Sequence, residues 1–433
     1  MRGSGLRLFD AALFVYAGLI PFESLTVGSG GLARAWGLVV AVVGLFAIWR
    51  ISIAPRMASL LLAPVVLSAL SVFWSIDPDA SVARTATFAS LAGIALLVVG
   101  LGTQRTIRAA IYGLLAGGVA ASYFVRRDYQ QLQLSVATEI RSTTAGANAN
   151  DLAAVLAVAA ALGLGMALLA SGRRATWLCS LGAATCAAAS ILTASRTAAA
   201  SLALVAAVAI VLRGGNWRRR SFLLAGLGGA FWYLLPRIDQ RITGRLVGAY
   251  QAASAGDLNF RTFYWRIGWE RITERPFVGW GAGTFPSLVG DELHRVGAAH
   301  SALVDLASDL GVLGVITLAA LVGAAGLGIC ACHDPQLRLA LTLGGLVLGV
   351  NMLLLSWDYR KLPWLFLALA LLAGGSRLRD RVVDRDEAEG GSGGVEDIHL
   401  GDEGTGLRRR SRVAHSRASV GHQFRVRAQQ ARR

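Results

Sequence analysis

The chain has few charged residues, only four cysteines and a single lysine among its 433 residues. Charged residues make up 16% of it and hydrophobic residues 55%, and the mean hydropathy is +0.54. This shortage of charge argues against a water-soluble domain and is typical of polytopic membrane proteins. Cys179 and Cys186 lie on one predicted helix and are interpreted as packing residues. Cys330 and Cys332 have no second cluster that would complete a metal site.

Apolar segments long enough to cross a bilayer follow one another along most of the chain. A membrane-spanning helix needs about 20 apolar residues, and about twelve segments meet this requirement. They lie roughly at 8–28, 32–49, 57–75, 86–102, 106–125, 150–170, 175–193, 197–213, 221–236, 303–330, 337–356 and 361–376. The sequence therefore predicts an all-α, polytopic membrane bundle over residues 1–376, followed by a tail at 377–433.

The positions of the arginines predict how this bundle is oriented. Alternate short loops contain arginine and no acidic residue, at 50–56, 105–108, 173–174 and 213–220. Such loops lie on the cytoplasmic side of a membrane. Both termini are therefore predicted to be cytoplasmic, with the long loop 237–299 on the outer side of the cytoplasmic (inner) membrane.

The net charge of +16 does not indicate a nucleic-acid partner. Much of it comes from the cytoplasmic loops and from residues 407–433, which contain nine arginines and no carboxylate. The preceding stretch, about 380–403, is acidic. The tail is predicted to be disordered and cytoplasmic, with its basic half near anionic lipid headgroups. Specific binding of RNA or protein by the tail is the alternative.

The long outer loop contains most of the polar chemistry of the chain. It includes eight arginines, six carboxylates and a cluster of aromatic residues between 263 and 269. Residues 259–275 have helical features, and Pro276 with the following GWGAG segment (279–283) should end that helix. We therefore expect short helices that hold arginines over a cavity between the spans; a solvated interfacial helix whose arginines and glutamates form i, i+4 charge pairs is the alternative. Guanidinium groups bind phosphate oxygens in bidentate fashion, so an anionic, partly sugar-like substrate is expected.

Three further motifs stand where spans meet the outer side. Arg196 lies at a junction of two spans, where a charge usually faces a water-filled cavity or a partner; an arginine that reaches lipid headgroups is the alternative. His300 heads a span and is able to accept a proton near neutral pH, or it is structural. Asn148 precedes another span, and capping of that helix is favoured over substrate contact.

These motifs are most informative when they are taken together, in the order in which they occur along the chain. The chain shows G-x-N-x-N before a span, T-x-S-R between spans, R-x-x-x-W and P-F-x-G-x-G-x-G-x-F in the outer loop, then H-S-x-L-x-x-L-x-x-D-x-G-x-x-G. With FWSIDP at 73–78, this order resembles the O-antigen ligase and polymerase superfamily (WaaL/Wzy-type integral membrane glycosyltransferases). The resemblance covers roughly residues 70–376. Ser301 and Asp309 depart from it, because the family commonly has asparagine and glutamate there, and this affects the acceptor contacts.

The resemblance implies transfer of a glycan from a polyprenyl diphosphate carrier to an acceptor hydroxyl, without a nucleotide sugar, metal or other cofactor. By position, Arg196 matches the T-x-S-R arginine and Arg261 the R-x-x-x-W arginine, and both are expected to hold the diphosphate. His300 matches the histidine expected to activate the acceptor. The expected partners are the lipid-linked donor, a glycan or glycolipid acceptor, and membrane lipids. Further predicted substrate contacts are Arg266, Trp265, Asp309 and Asn148.

Two functions of other classes, a solute transporter and a non-catalytic scaffold, remain as alternatives to glycan transfer. A solute transporter, for instance one for bicarbonate, would need ionisable residues at mid-span and inverted repeats, and neither stands out in the sequence. A non-catalytic scaffold for envelope assembly would tolerate alanine at Arg196, Arg261 and His300. Transfer to a protein acceptor is a subclass of the leading hypothesis, and the sequence does not separate a ligase from a polymerase.

Overall fold

The computed structural model describes residues 4–24, 26–27, 30–133, 142–144, 148–212, 261–293 and 298–375. In chain order its helices are α1 (Ser4–Leu19), α2 (Leu32–Leu45), α3 (Pro55–Ser71), α4 (Pro78–Leu101), α5 (Gln104–Gln133), α6 (Ala149–Leu168), α7 (Arg173–Leu192), α8 (Arg196–Leu212), α9 (Arg261–Glu274), α10 (Phe285–Leu293), α11 (Ala302–Ala331), α12 (Pro335–Leu354) and α13 (Lys361–Gly375). Single 3-10 turns lie at Ile20–Phe22 and Ile48–Arg50. A two-residue antiparallel ribbon pairs Thr26–Val27 with Gly30–Gly31.

The helices confirm the all-α, polytopic membrane bundle. Among the described residues, seven helices are long and apolar enough to cross a membrane, and four shorter apolar helices accompany them. These helices coincide with the predicted spans, except for the segment at 221–236, which lies outside the described residues. The total of about twelve spans therefore stays a prediction. The tail at 377–433 and loop residues 237–260 also lie outside the described residues.

Local sequence explains where several of the helices begin. Asp77 accepts a hydrogen bond from the backbone N–H of Ala80 (3.0 Å) at the start of α4. Asp334 caps α12 in the same way through Gln336 and Leu337. Helices α3, α4 and α12 also have proline at their first position, where no backbone N–H is needed. Each cap satisfies backbone donors that the apolar helix leaves free.

Small residues let the helices approach closely around a central α6. Helix α6 is buried on almost every side, and it packs against α5, α7, α8 and α12. Helices α1 and α5 meet backbone to backbone: a Cβ added at Gly113 would lie 2.1 Å from the carbonyl oxygen of Phe14. Close contact through glycine and alanine is the usual way in which membrane helices associate.

Contacts between loops define two ends of the bundle. At the first, here called the His300 end, the loop after α3 contacts the loop after α9, because Ile76 N donates to Trp280 O (3.2 Å). There His300 N also donates to Ser356 Oγ in the α12–α13 loop (3.1 Å). At the other, the Asp334 end, Arg108 at the start of α5 pairs with Asp334 before α12. The alternation of loops between the ends agrees with the predicted threading.

Candidate functional site

The GWGAG segment is anchored to a break in helix α11. Gly311 has a φ of +63°, which interrupts the helix and releases carbonyl groups from their helical partners. Trp280 N donates to Ser308 O (3.0 Å) and Gly281 N donates to Asp309 O (2.9 Å). Because Gly281 itself has a φ of +115° and lies against Ser75, glycine is required at this position. The outer loop is thereby fixed to a membrane-spanning helix.

The carboxylate of Asp309 organises the same segment. Its Oδ2 accepts a hydrogen bond from the backbone N–H of Gly283 (2.5 Å), and its Oδ1 accepts one from Phe285 N (3.1 Å). Asp309 is buried, and these contacts satisfy free donors at the start of α10. The structure therefore gives Asp309 a structural contact, while its predicted contact with substrate stays a prediction.

His300 sits in a turn that several elements hold in place. It has a φ of +53°, a conformation that is unfavourable for a residue with a side chain. Its backbone N–H binds Ser356, and the indole of Trp265 donates to the carbonyl of the preceding Ala299 (2.9 Å). The ring of Tyr264 lies edge-on to the imidazole at 6.5 Å between centroids. The predicted residue Trp265 thus positions the histidine turn from helix α9.

The structure brings Arg196, Arg261 and His300 together at the His300 end. Arg196 begins α8 directly after a tight turn, and Arg261 begins α9; both side chains are half-buried. Burial lowers the pKa of the Arg261 guanidinium, and the nearby positive charge of Arg196 lowers it further. Burial likewise lowers the pKa of His300, and the charge of Arg261 adds to this effect. The three groups therefore lie within electrostatic range, and the histidine is held in its neutral, proton-accepting form.

Asp151 connects this group to the α12–α13 loop. Its carboxylate accepts hydrogen bonds from Trp357 Nε1 and from Arg360 (2.9 Å each). Its negative charge opposes the lowering of the pKa of His300, so the two residues are electrostatically coupled. Asn148, Asp151 and Arg360 line one cavity of about 300 Å³. Asp151 follows Asn148 closely in the chain, but its partners Trp357 and Arg360 lie more than 200 residues away and no sequence pattern indicates them.

The remaining predicted site residues, Asn148 and Arg266, lie at the edge of the group formed by Arg196, Arg261 and His300. Asn148 caps α6, because its side chain accepts a hydrogen bond from Asn150 N (2.9 Å), which confirms the capping interpretation. Arg266 is exposed, with its guanidinium 3.8 Å from Glu270 and 5.3 Å from the ring of Phe263. It belongs to the solvated face of α9, so a contact with substrate would have to be made from the outer side.

Sequence reasoning missed a buried ion pair close to these residues. Arg84 of α4 donates to Asp358 Oδ2 at 2.9 Å, and its guanidinium lies 3.9 Å from the ring centre of Tyr359. Only 16% of the Arg84 side chain and 3% of the Asp358 side chain are exposed to solvent. Asp305 and Asp309 of α11 are within electrostatic range of Arg84. Arg84 follows shortly after the FWSIDP motif at 73–78, but its partner lies 274 residues away in the chain.

These groups together provide fixed positive charge beside a neutral base. Each guanidinium group at the site offers several N–H donors to phosphate oxygens. His300 supplies a proton acceptor next to them. Among the described residues, no group of three or more His, Cys, Asp or Glu side chains is arranged to hold a metal ion. The arrangement is suited to an anionic leaving group and to the activation of a hydroxyl.

Residues 181–319 match the family model described as O-antigen ligase (Wzy_C). No curated protein matches the chain. The family match confirms the resemblance to the O-antigen ligase and polymerase superfamily and supports a membrane ligase or polymerase type of function. The matched range includes Arg196, Arg261, His300 and the GWGAG segment, whereas Arg84 and Asp358 lie outside it.

Proposed function

Starting from the match to the O-antigen ligase family, we propose that the protein transfers a polyprenyl-diphosphate-linked glycan to an acceptor hydroxyl. The reaction takes place on the outer face of the cytoplasmic membrane. The observation that carries this proposal is the meeting of Arg196, Arg261 and His300 at one end of the bundle. Three helices that are distant in the chain begin or end there, and their charged residues influence one another.

Each residue of the group has a role in the proposed reaction. Arg196 and Arg261 bind the diphosphate and stabilise the charge that develops on it as the glycosidic C–O bond breaks. His300 takes the proton of the acceptor hydroxyl while its oxygen bonds to the anomeric carbon. The lipid diphosphate leaves with the electron pair of the broken bond. A single displacement of this kind inverts the anomeric configuration.

The lowered pKa of His300 suits this role. A histidine that stays neutral at the working pH is ready to accept a proton, and the positive charge of Arg261 helps to keep it neutral. Fixed arginines stabilise a diphosphate leaving group without proton transfer, so the proposed chemistry is independent of a metal.

The other predicted residues act around this centre. Trp265 and Asp309 are proposed to position it, through Ala299 and through the GWGAG segment respectively. Asn148 and Arg266 are proposed to contact the glycan at the edge of the site. Positioning residues should affect the rate through the geometry of His300 and not through binding of the diphosphate.

Complementation of a deletion strain tests the proposal. Variants Arg261→Ala and His300→Ala are compared with wild type and with Arg174→Ala, which lies at the Asp334 end, at matched expression. We expect the two site variants to accumulate lipid-linked glycan and to lose mature surface glycan, by a factor of about 10²–10⁴ for the histidine. Arg174→Ala should behave like wild type. Normal surface glycan in both site variants would remove the catalytic assignment and leave a scaffold as the working hypothesis.

A further inference from the structure

Large apolar side chains are exposed where two loops of the His300 end meet. Phe73 and Ile76 belong to the loop after α3, and 86% of Phe73 is exposed. Phe277 and Val278 belong to the loop after α9, and 71% of Phe277 is exposed. These residues are here called the apolar patch. An exposed patch of large apolar side chains marks a surface that a membrane or another molecule covers.

Hydrogen bonds join the two loops and fix the patch to helix α11. The indole of Trp74 donates to the carbonyl of Val278 (3.2 Å), and the guanidinium of Arg275 donates to the carbonyl of Trp74 (3.4 Å). Val312 N, directly after the break in α11, donates to the carbonyl of Pro276 (2.8 Å). The patch therefore lies at a defined height along α11, level with Val312.

Helix α11 is longer than a membrane crossing requires, and its composition changes at the break. Its 30 residues rise about 45 Å, whereas the hydrocarbon core of a bilayer is about 30 Å thick. The part at 312–331 has no charged residue, whereas the part before the break contains Asp305 and Asp309. Because α11 finishes just before Asp334 at the opposite end of the bundle, 312–331 is the part that crosses the hydrocarbon. The level of Val312 is then the outer boundary of the hydrocarbon core.

The patch also continues the outward apolar faces of two helices. On α3, Val66 and Leu70 are exposed at a spacing of one turn, and Phe73 follows one turn later. On α11, Val312 and Ile316 are exposed at the same spacing, and this face begins beside the loop that carries the patch. Outward apolar side chains of membrane-spanning helices face acyl chains. Acyl chains that follow these two faces therefore reach the patch.

We propose that the apolar patch inserts into the outer leaflet of the membrane and lies among the acyl chains just below the headgroups. Aromatic residues are typical of this boundary. The patch and the GWGAG segment belong to one hydrogen-bonded loop, so the insertion sets the height of α9 and of the His300 turn above the bilayer. A protein partner at this surface would have to displace the acyl chains from it. The contact with lipid does not depend on the reaction proposed above.

Photocrosslinking at single positions tests the placement of the patch. Phe73 or Phe277 is replaced by p-benzoylphenylalanine in the full-length protein, which is reconstituted into vesicles of phosphatidylethanolamine and phosphatidylglycerol. Ile316 on α11 is the matched position for lipid contact, and Arg266 on the solvated face of α9 is the matched position for water. Mass spectrometry identifies the adducts after irradiation, and the thermal midpoint of each variant reports its fold.

We expect phospholipid adducts at Phe73 and Phe277 in a yield comparable with that at Ile316 and several times that at Arg266. A covalent dimer of the chain in place of lipid adducts would show that a second copy covers the patch and would overturn the proposal. A lipid yield at both patch positions no higher than at Arg266, with the adduct present at Ile316, would overturn it as well.

The depth of the patch has an independent readout in spin labelling. Phe277→Cys and Arg266→Cys are labelled with a nitroxide in a Cys330→Ser background, because Cys330 is the exposed cysteine and the other native cysteines are buried. Oxygen concentrates in the hydrocarbon, and a nickel chelate stays in water. We expect the ratio of oxygen to nickel collisions to be several times higher at 277 than at 266. Equal ratios would place the loop in water and overturn the proposal.

Discussion

The two ends of the bundle differ in how deeply their charged side chains are buried. At the His300 end the described structure buries Asp305, Asp309 and Asp358. The non-glycine residues with positive φ, Ala194 and His300, also lie there. The Asp334 end instead has an ion pair in which the arginine retains 37% of its side-chain exposure, together with ordinary helix caps.

This contrast distinguishes polar residues that only stabilise the fold from polar residues that take part in function. Burying an ion costs several kcal/mol before its partner compensates, and a strained backbone residue costs about 1–3 kcal/mol. A membrane bundle has no need of such costs for its stability, since the Asp334 end manages without them. Buried charge and strain concentrated at one end therefore indicate where the protein carries out its chemistry.

The largest expected effect on stability is at the buried pair of the His300 end. Arg84→Met leaves Asp358 buried without its partner and should lower the free energy of unfolding by about 3–5 kcal/mol. Denaturant unfolding in detergent micelles measures this loss. The double variant Arg84→Met/Asp358→Leu should recover a large part of it, because no charge is then left uncompensated. A single variant as stable as wild type would show that the pair is open to water.

Replacement of Arg261 is expected to have a smaller energetic effect, seen as a change in the pKa of His300. Burial and then the charge of Arg261 hold its pKa below the ordinary 6.5, so the neutral imidazole persists to lower pH. Removing that charge in Arg261→Gln should raise the pKa toward 6.5. The rate of diethylpyrocarbonate modification of His300, followed by peptide mass spectrometry, should then rise through its midpoint at higher pH. Arg266→Gln, an exposed arginine on the same helix, is the control, and equal midpoints in both variants would contradict the coupling.

The smallest effect is expected at the Asp334 end. Arg108→Gln removes the arginine of a partly exposed pair, and such pairs contribute about 0–1 kcal/mol. Asp334 keeps its capping bonds to α12 in this variant. The same unfolding measurement applies. If Arg108→Gln lowered the free energy of unfolding as much as Arg84→Met does, the proposed difference between the two ends would be wrong.

Much of the fold follows from the sequence, and less of the site does. The predicted spans other than 221–236 coincide with the described helices, and α9 ends just before Pro276 as expected, because both depend on runs of neighbouring residues. The capping by Asn148 is equally local. Asp309 was singled out by its place in a motif, but its bonds to Gly283 and Phe285 depend on a helix break and a loop that meet only in three dimensions.

By itself, the sequence determined that the chain crosses a membrane repeatedly and which residues of its motifs carry the family resemblance. Hydropathy and motif order are properties of the chain, so folding is not needed to see them. Only the tertiary structure decided the partner of Arg84, the coupling of Asp151 to His300, and the joining of the loops after α3 and α9 into one apolar patch. Ion pairs and contacts between loops depend on distances between helices, and those distances are set by the packing of the whole bundle.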